Sequence, residues 1–356
     1  MTSFLSVAAL FLFTSVLFAL PLLPALWELQ RKSDALPLNV IQQHAGEIRY
    51  FADSFRAYLE PLEPVLRDCA RSGQNASGVM PDGTEYMVLG SGNDAVTLPL
   101  GGRDRLYPLL LASATDLTVP SDSTFSHDVY SRARFVGGAN NQYRALLAER
   151  EVHLGTGSSL MRWVHAGSEL NADPGCKLYG RVSSDSRIRL AHGCTFLRLN
   201  APRIELGPSS PKISQPNSDP PPSLSSVSPS RLLHDGDFEI KPGEFFRGDL
   251  VVRGRLRIGS GARVFGSLKS TQEMLVESAA RVDGSLICAA KLVIGPDCVI
   301  QGPVISEREI MLQARSQSGT ADGPTTVCAP RISAACGVIV FGSLWARERG
   351  EVVASA

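Results

Sequence analysis

The amino-acid sequence predicts an all-β fold, a triangular parallel β-helix with about 18 residues per coil. The first observation is a column of aliphatic residues at 18-residue steps: Ile240, Ile258, Val276, Ile294 and Leu312. The second is a glycine column with the same step: Gly248, Gly266, Gly284 and Gly302. Columns that keep one register over several repeats are the signature of a solenoid, in which each repeat packs on its neighbours.

Each repeat alternates aliphatic and polar residues, as residues 292–306 show (LVIGPDCVIQGPVIS). Alternation with a period of two indicates strands, and the small residues between the runs indicate turns. An 18-residue coil divides into three short sides of about six residues, and stacked coils lie about 4.8 Å apart. The repeats therefore predict aliphatic ladders inside and mostly charged or small polar residues outside.

The same period predicts two β-helical blocks, at residues 117–207 and 232–356. In the first block, the 18-residue step is carried by Val152, Leu170, Ile188 and Leu206. In the second, a loop at residues 313–331 interrupts the register before the repeat resumes. Residues 208–231 lie between the blocks and are rich in proline and serine, which predicts a flexible or polyproline linker.

The N-terminal region, residues 1–33, predicts a transmembrane helix ahead of the solenoid. Residues 1–27 carry no charged side chain, and residues 4–26 are long enough to cross a lipid bilayer. The alternative is a cleaved signal peptide, although no basic side chain precedes the apolar run. Arg31 and Lys32 follow the run, so the positive-inside rule places the body in the cytoplasm. The expected location is the cell inner membrane, with a single span.

Residues 34–116 form a different, helical or mixed region. Residues 39–70 space their apolar side chains at helical intervals, and Pro61 and Pro64 are expected to interrupt the helices. These helices either couple the solenoid to the membrane or simply cap it. Residues 79–90 predict a β-hairpin with Asp82 and Gly83 at its turn.

The composition argues against some classes of function. The chain has 356 residues and a formal net charge of zero, which argues against a nucleic-acid partner recognised through its phosphates. Seven cysteines are an odd number and do not suggest a disulfide framework, so a reducing compartment is expected.

Residues that could carry chemistry have simpler structural interpretations. His192 precedes a glycine at a coil corner, where a solvated residue is expected. Cys176 and Cys194 are one coil apart and could bind a metal or form a disulfide. Their position in the repeat requires a small side chain, however, since Ser158, Ala262, Ala280 and Cys298 occupy it in other coils. The sequence thus predicts no catalytic, cofactor-binding or metal-binding residues.

The phrase V-x-G-x-L resembles the bactofilins, a bacterial family of polymer-forming cytoskeletal proteins. It is carried by residues 264–268 (VFGSL), 282–286 (VDGSL), 300–304 (IQGPV), 340–344 (VFGSL) and, in part, 246–250 (FRGDL). The resemblance is best over residues 236–312 and 338–345. It implies a right-handed β-helix that assembles end to end without nucleotide, and a scaffold that localises client proteins at a membrane.

Physical chemistry gives a reason for self-assembly. The terminal coils of a β-helix expose open strand edges, which pair with another chain unless they are covered. The last coil is apolar, and we expect Phe341, Leu344 and Trp345 to form the self-assembly contact. The alternative is that residues 350–356 or the loop at 313–331 fold over this end.

The chief rival is an enzyme, a hexapeptide-repeat acyltransferase on a left-handed β-helix. Such repeats place an aliphatic residue at every sixth position. Here the third side breaks that rule with Val252, Ser270, Cys288 and Ser306. An exported carbohydrate-binding or lyase-type β-helix would need a ladder of acidic or aromatic residues along one groove, which the sequence does not show. We therefore predict a membrane-anchored, bactofilin-like scaffold.

Overall fold

The chain folds as a β-solenoid of about 12 turns with about 18 residues per turn. A computed structural model describes residues 50–90, 105–207 and 231–354, together with residues 9, 10, 13, 14 and 20. Residues 51–356 form one compact unit. In the described part of the chain, all strands belong to a single 32-stranded sheet.

Two short helices precede the solenoid. Helix α1 spans Tyr50–Leu59, a 3-10 turn spans Glu60–Leu62, and helix α2 spans Glu63–Ser72. Prolines stand in the first positions of the turn and of α2, where the missing N–H donor has no helical partner to lose. Gly73 ends α2 in the left-handed region (φ 69°), and its N–H bonds Cys69 O at 2.9 Å. The C-terminal end of α2 is thus capped.

The hairpin predicted at residues 79–90 is confirmed. Strands β1 (Ala76–Val79) and β2 (Glu85–Leu89) pair antiparallel around the Asp82–Gly83 turn. The strands of the first block follow and begin ahead of the expected start at residue 117: β3 Leu106–Tyr107, β4 Leu110–Ser113, β5 Leu117–Val119, β6 Thr124–Phe125, β7 Val129–Ser131, β8 Phe135–Gly137, β9 Gln142–Ala148, β10 Val152–Leu154, β11 Ser159–Ala166, β12 Glu169–Ala172, β13 Lys177–Ser184, β14 Arg187–Leu190 and β15 Thr195–Leu206.

The second block begins after residues 208–230, which lie outside the described residues. Its strands are β16 Arg231–Asp235, β17 Phe238–Ile240, β18 Phe245–Arg247, β19 Asp249–Arg253, β20 Leu256–Ile258, β21 Arg263–Phe265, β22 Leu268–Ser270, β23 Met274–Val276, β24 Arg281–Val282, β25 Leu286–Cys288, β26 Lys291–Ile294, β27 Val299–Ile300, β28 Val304–Ser306, β29 Glu309–Leu312, β30 Gln317–Ser318, β31 Thr325–Ala335 and β32 Val338–Val353.

Each coil has three sides, which we number in chain order. In one coil of the second block, side 1 is β21, side 2 is β22 and side 3 is β23. Each strand pairs parallel with the strand one coil later, for example β22 with β25 through Leu268 and Leu286. The aliphatic column found in the sequence, from Ile240 to Leu312, is fully buried inside the solenoid. The period of 18 therefore sets both the pairing register and the inner face.

The glycine column marks a tight approach between coils. A Cβ atom added to Gly284 would lie 2.2 Å from Gly266 O, and one added to Gly302 would lie 2.6 Å from Gly284 O. Each of these glycines lies at the corner between side 1 and side 2. The column is glycine because the backbone of one coil touches the backbone of the next.

The predicted fold class was wrong in placing a transmembrane helix before the solenoid. Among the described residues, no helix is long and apolar enough to cross a membrane, and α1 and α2 have only 10 residues each. A span needs about 20 residues. Except for residues 9, 10, 13, 14 and 20, the predicted span at residues 4–26 lies outside the described residues.

The two blocks are joined, which the sequence did not predict. Buried residues from Leu89 to Val352 form one hydrophobic cluster that runs through both blocks. The connection is made by β15, the last strand of the first block, and β32, the last strand of the second, which pair antiparallel. We call this junction the seam.

Candidate functional site

The residues predicted to mediate self-assembly lie on β32, at the seam. Leu344 is fully buried and stands opposite Leu199 of the first block. Trp345 is 39% exposed and stands opposite Arg198, whose guanidinium carbon lies 4.7 Å from the centre of the indole ring. The edge of the last coil is therefore occupied by the chain's own first block, so the free edge expected from the sequence does not exist there.

The seam has an approximate two-fold pattern. Side 2 of the first block (Arg198–Ala201) pairs with side 2 of the second (Gly342–Trp345). Side 3 of each block pairs with side 1 of the other. Side 3 residues Ile204–Leu206 pair with Val338–Val340, which continue side 1 of the second block. Side 1 residues Thr195 and Phe196 pair with Glu351 and Gly350, which continue side 3. A two-fold axis perpendicular to the solenoid axis would relate the two ends in this way. The blocks therefore meet with their C-terminal ends facing each other.

Polar contacts reinforce the seam on its outer surface. Asn200 Nδ2 donates to Ser343 Oγ at 2.8 Å. Burial, helped by the neighbouring Arg181, lowers the pKa of Arg198, which stacks on Trp345. Backbone bonds continue the junction, with Gly193 N 2.8 Å from Val352 O. The contacts combine apolar burial with satisfied polar groups, as expected of a permanent interface.

A buried carboxylate lies beside the seam. Glu205 is only 5% exposed and stands opposite Ile339. Its carboxylate accepts from Arg203 Nε at 2.6 Å and from Arg189 Nε at 3.0 Å. Arg187 lies 3.8 Å away. Charge-assisted bonds of this kind offset the cost of burying the carboxylate, so the cluster ties β14 to β15 on the third side of the first block.

The first coil of the second block, formed by β16, β17 and β18, has an open end. Each of these strands pairs with the next coil, and none pairs on its other edge within the described residues. Leu232 occupies an inward position of side 2 and is 45% exposed, whereas its partner Leu250 is fully buried. Leu233 and Phe245 are 54% and 44% exposed. We call this surface the open end.

The first coil of the first block carries a cap at the equivalent place. Strand β2 pairs with β4 on side 2, and β1 covers the outer edge of β2. Residues from both helices, among them Phe55 and Leu66, pack with Leu110 and Leu147 in a second hydrophobic cluster. Arg56 donates to the Glu149 carboxylate at 2.9–3.2 Å and ties α1 to the solenoid. This end of side 2 is therefore covered.

The cysteines behave as small core residues. Cys176, Cys194 and Cys298 are fully buried, together with Ala262 and Ala280 of the same column. The hydrogen bond that the Cys176 thiol donates to its neighbour Cys194, together with burial, raises the pKa of Cys176. Burial raises the pKa of Cys298 to about 11. Thiols in such surroundings are poorly reactive, which supports the packing interpretation. Among the described residues, no group of three or more His, Cys, Asp or Glu side chains could hold a metal ion.

One polar group was not predicted from the sequence. The side chain of His165 points outward from side 2 but is only 1% exposed. Its Nδ1 lies 2.9 Å from Ser183 Oγ, one coil away. Asp185 Oδ1 lies 3.7 Å from His165 Nε2, beyond hydrogen-bond reach. The 18-residue step from His165 to Ser183 was the available signal. Ser183 is itself only 6% exposed, so His165 and Ser183 form a buried polar contact between adjacent coils.

A groove of about 700 Å³ runs along the outside of the second block beside side 3. Its corner positions alternate in charge from coil to coil: Asp237, Arg255, Glu273 and Lys291. Arg257 contacts Glu277 at 2.5 Å and lies 3.7 Å from Glu239, so the charges are largely matched within the chain. The groove therefore presents a balanced, solvated surface.

Comparison with known proteins adds no relative. No family model, no curated protein and no solved structure matches the chain.

Proposed function

We propose that this protein is a structural scaffold, similar to the bactofilins, that self-associates through an end of its solenoid without nucleotide. The observation that carries the proposal is the open end, where three strands have no partner on their outer edges among the described residues, beside Leu232, Leu233 and Phe245. An open edge of parallel strands is a template for adding further strands. Backbone hydrogen bonds and apolar burial together would drive the association.

The repeated phrase has a structural role that fits a scaffold. In residues 264–268, Val264 and Leu268 point inward on sides 1 and 2, and Gly266 allows the close approach at the corner between them. The phrase thus builds a stiff, regular stack of coils. A stack of this kind presents the same surface at fixed spacing along its length, which suits the positioning of other proteins.

The column of Val252, Ser270, Cys288 and Ser306, which the sequence placed on the third side, lies at the end of side 2. It also fits a scaffold better than a six-residue enzyme repeat. Ser270 and Cys288 are fully buried at a coil corner. Ser270 Oγ donates to Gly254 O at 2.7 Å, and its oxygen accepts from Gln272 N at 3.2 Å. These small polar side chains fasten the turn that follows side 2. Their departure from the aliphatic pattern therefore has a structural reason.

Sedimentation velocity of the full-length chain in a mild non-ionic detergent tests the proposal. We expect an oligomer whose population grows with protein concentration and is unchanged by ATP, GTP or a metal chelator. Negative-stain electron microscopy of the same samples would show its shape. A monomer at every concentration would contradict the proposal, as would saturable binding of acetyl-coenzyme A in a calorimetric titration.

A further inference from the structure

The open end has the properties of a two-fold dimer surface. We propose that two copies of this chain pair antiparallel through β16, β17 and β18, and that association stops at the dimer. This inference rests on the proposed function, because it names the surface and the stoichiometry of the self-association.

The seam supplies the geometric precedent. There, two solenoid ends of the same triangular cross-section meet with side 2 on side 2 and with sides 1 and 3 exchanged. The open end presents the same three sides, with β16 on side 2, β17 on side 3 and β18 on side 1. The same rule therefore pairs β16 with β16 of a second copy, and β17 with β18. Two-fold pairing is also the commonest way in which identical chains close an interface.

The charges along β16 are self-complementary. The strand reads Arg-Leu-Leu-His-Asp, with a basic residue at its start and an acidic one at its end. Antiparallel pairing centred on Leu233 places Arg231 opposite Asp235 of the second copy. Cross-strand pairs of opposite charge stabilise a sheet, and like charges destabilise it. Parallel pairing of two copies would instead oppose like charges, so β16 favours a reversed second copy.

The apolar residues at the open end are also placed to contact a second copy related by a two-fold axis. Leu233 is the middle residue of β16 and is the most exposed apolar side chain of that strand, at 54%. A two-fold axis near its position brings the two Leu233 side chains together. Phe245 packs on Phe265 of the next coil with ring centres 4.7 Å apart, so its exposed face is held in place for a partner. Exposed apolar groups on a fixed edge lose little entropy on binding.

The other coil ends explain why association stops at two. The C-terminal ends of both blocks already pair with each other at the seam. At the other end of the first block, β2 occupies the edge of β4, which is the side 2 position around which two-fold pairing is centred. Each chain therefore offers one open end of this kind among its described residues. A chain with a single self-complementary end forms a closed pair rather than a filament.

A charge placed at the centre of the interface tests the proposal. We expect the full-length chain, in mild detergent, to sediment at twice its mass of 38.2 kDa. Leu233→Lys should weaken the dimer by about tenfold or more, because two ammonium groups would meet near the axis. The matched control is Ile305→Lys, on the outer surface of side 2 within the stack, where Ile305 is 39% exposed. It should leave the dimer unchanged, and both variants should keep the β-sheet circular-dichroism signal.

A cross-link provides a second readout that does not depend on weakening the protein. Leu233→Cys should give a covalent dimer on mild oxidation, whereas Ile305→Cys should not. Oligomers larger than two chains, or a dimer that survives Leu233→Lys and is broken by Ile305→Lys, would overturn this inference and leave self-association standing. A monomer at every concentration would overturn both, and would indicate that another part of the chain covers the open end.

Discussion

Asn200 Nδ2 donates a hydrogen bond to Ser343 Oγ at 2.8 Å, although the two residues are 143 positions apart. The bond joins the last coil of the first block to the last coil of the second, beside the buried pair of Leu199 and Leu344. The coils of the solenoid are therefore not stacked in the order in which they occur along the chain. The second block runs back toward the first, and the two close each other.

The first prediction concerns this bond. Asn200→Ala should lower the free energy of unfolding by about 1 kcal/mol, because the net value of a partly buried hydrogen bond is of that size. A double-mutant cycle with Ser343→Ala, followed by urea denaturation, measures the coupling. We expect a coupling energy of about 0.5–1.5 kcal/mol. A coupling near zero would show that the two side chains do not interact.

The second prediction concerns the apolar centre of the seam. Leu344→Ala should destabilise the protein by about 2–5 kcal/mol, the usual cost of removing a fully buried leucine. The matched control is Leu275→Ala, since Leu275 is 40% exposed on the outer surface. It should cost less than about 1 kcal/mol. Equal effects in urea denaturation would mean that Leu344 is not buried between the blocks.

The third prediction concerns the glycine column. Gly284→Ala adds a Cβ atom 2.2 Å from Gly266 O, a backbone atom that cannot move without shifting a whole coil. We expect a loss of more than about 2 kcal/mol in the free energy of unfolding. Gly323→Ala is the control, because its nearest neighbour, Thr320 Oγ1, is a side-chain atom at 3.2 Å. Thermal unfolding of both variants distinguishes the two sites, and a neutral Gly284→Ala would contradict the close contact.

The fourth prediction concerns pH. Burial raises the pKa of Cys298 from its ordinary value of 9.0 to about 11. The stability linked to this group is fully present below pH 9 and is lost as the pH rises through 11, because the unfolded chain releases its proton first. We expect it to contribute about 2 kcal/mol to the loss of stability across that range.

The control for the pH prediction is Cys298→Ala, which places in this coil the residue found at the equivalent positions 262 and 280. This variant should fold normally and show a shallower decline between pH 9 and pH 11 in urea denaturation. The native protein should also react slowly at Cys298 with Ellman's reagent at pH 8, where little thiolate is present. Fast labelling of the folded protein would contradict the burial.

The repeat made much of the fold predictable. Side chains that pair across coils are 18 positions apart, so the inward column from Ile240 to Leu312 and the small-residue column with Cys176 and Cys298 could be recognised from the order of residues alone. The hairpin at Asp82 and Gly83 could be predicted for a similar reason, because its turn residues are adjacent in the chain. The transmembrane helix was a prediction from apolar length alone, and no helix of the described residues supports it.

The candidate site was less predictable. The sequence suggested an apolar last coil with Phe341, Leu344 and Trp345, and it identified open strand edges as the reason for assembly. It did not show that the last coil is covered by β15, nor that Leu232 and Leu233 lie at an end without a strand partner among the described residues. His165 and Ser183 were also one repeat apart, yet a histidine on an outward position gives no sign that it will be buried.

By itself, the sequence determined the period, the parallel register and the inner face of the coils in which the 18-residue columns recur, because these depend on side chains that recur at a constant step. Only the tertiary structure decided which coil ends pair with each other and which strand edges have no partner among the described residues. Pairing between ends is made largely by backbone N–H and C=O groups, which are the same in every residue, and it joins positions as distant as Leu199 and Leu344. No periodic side-chain pattern records such a junction.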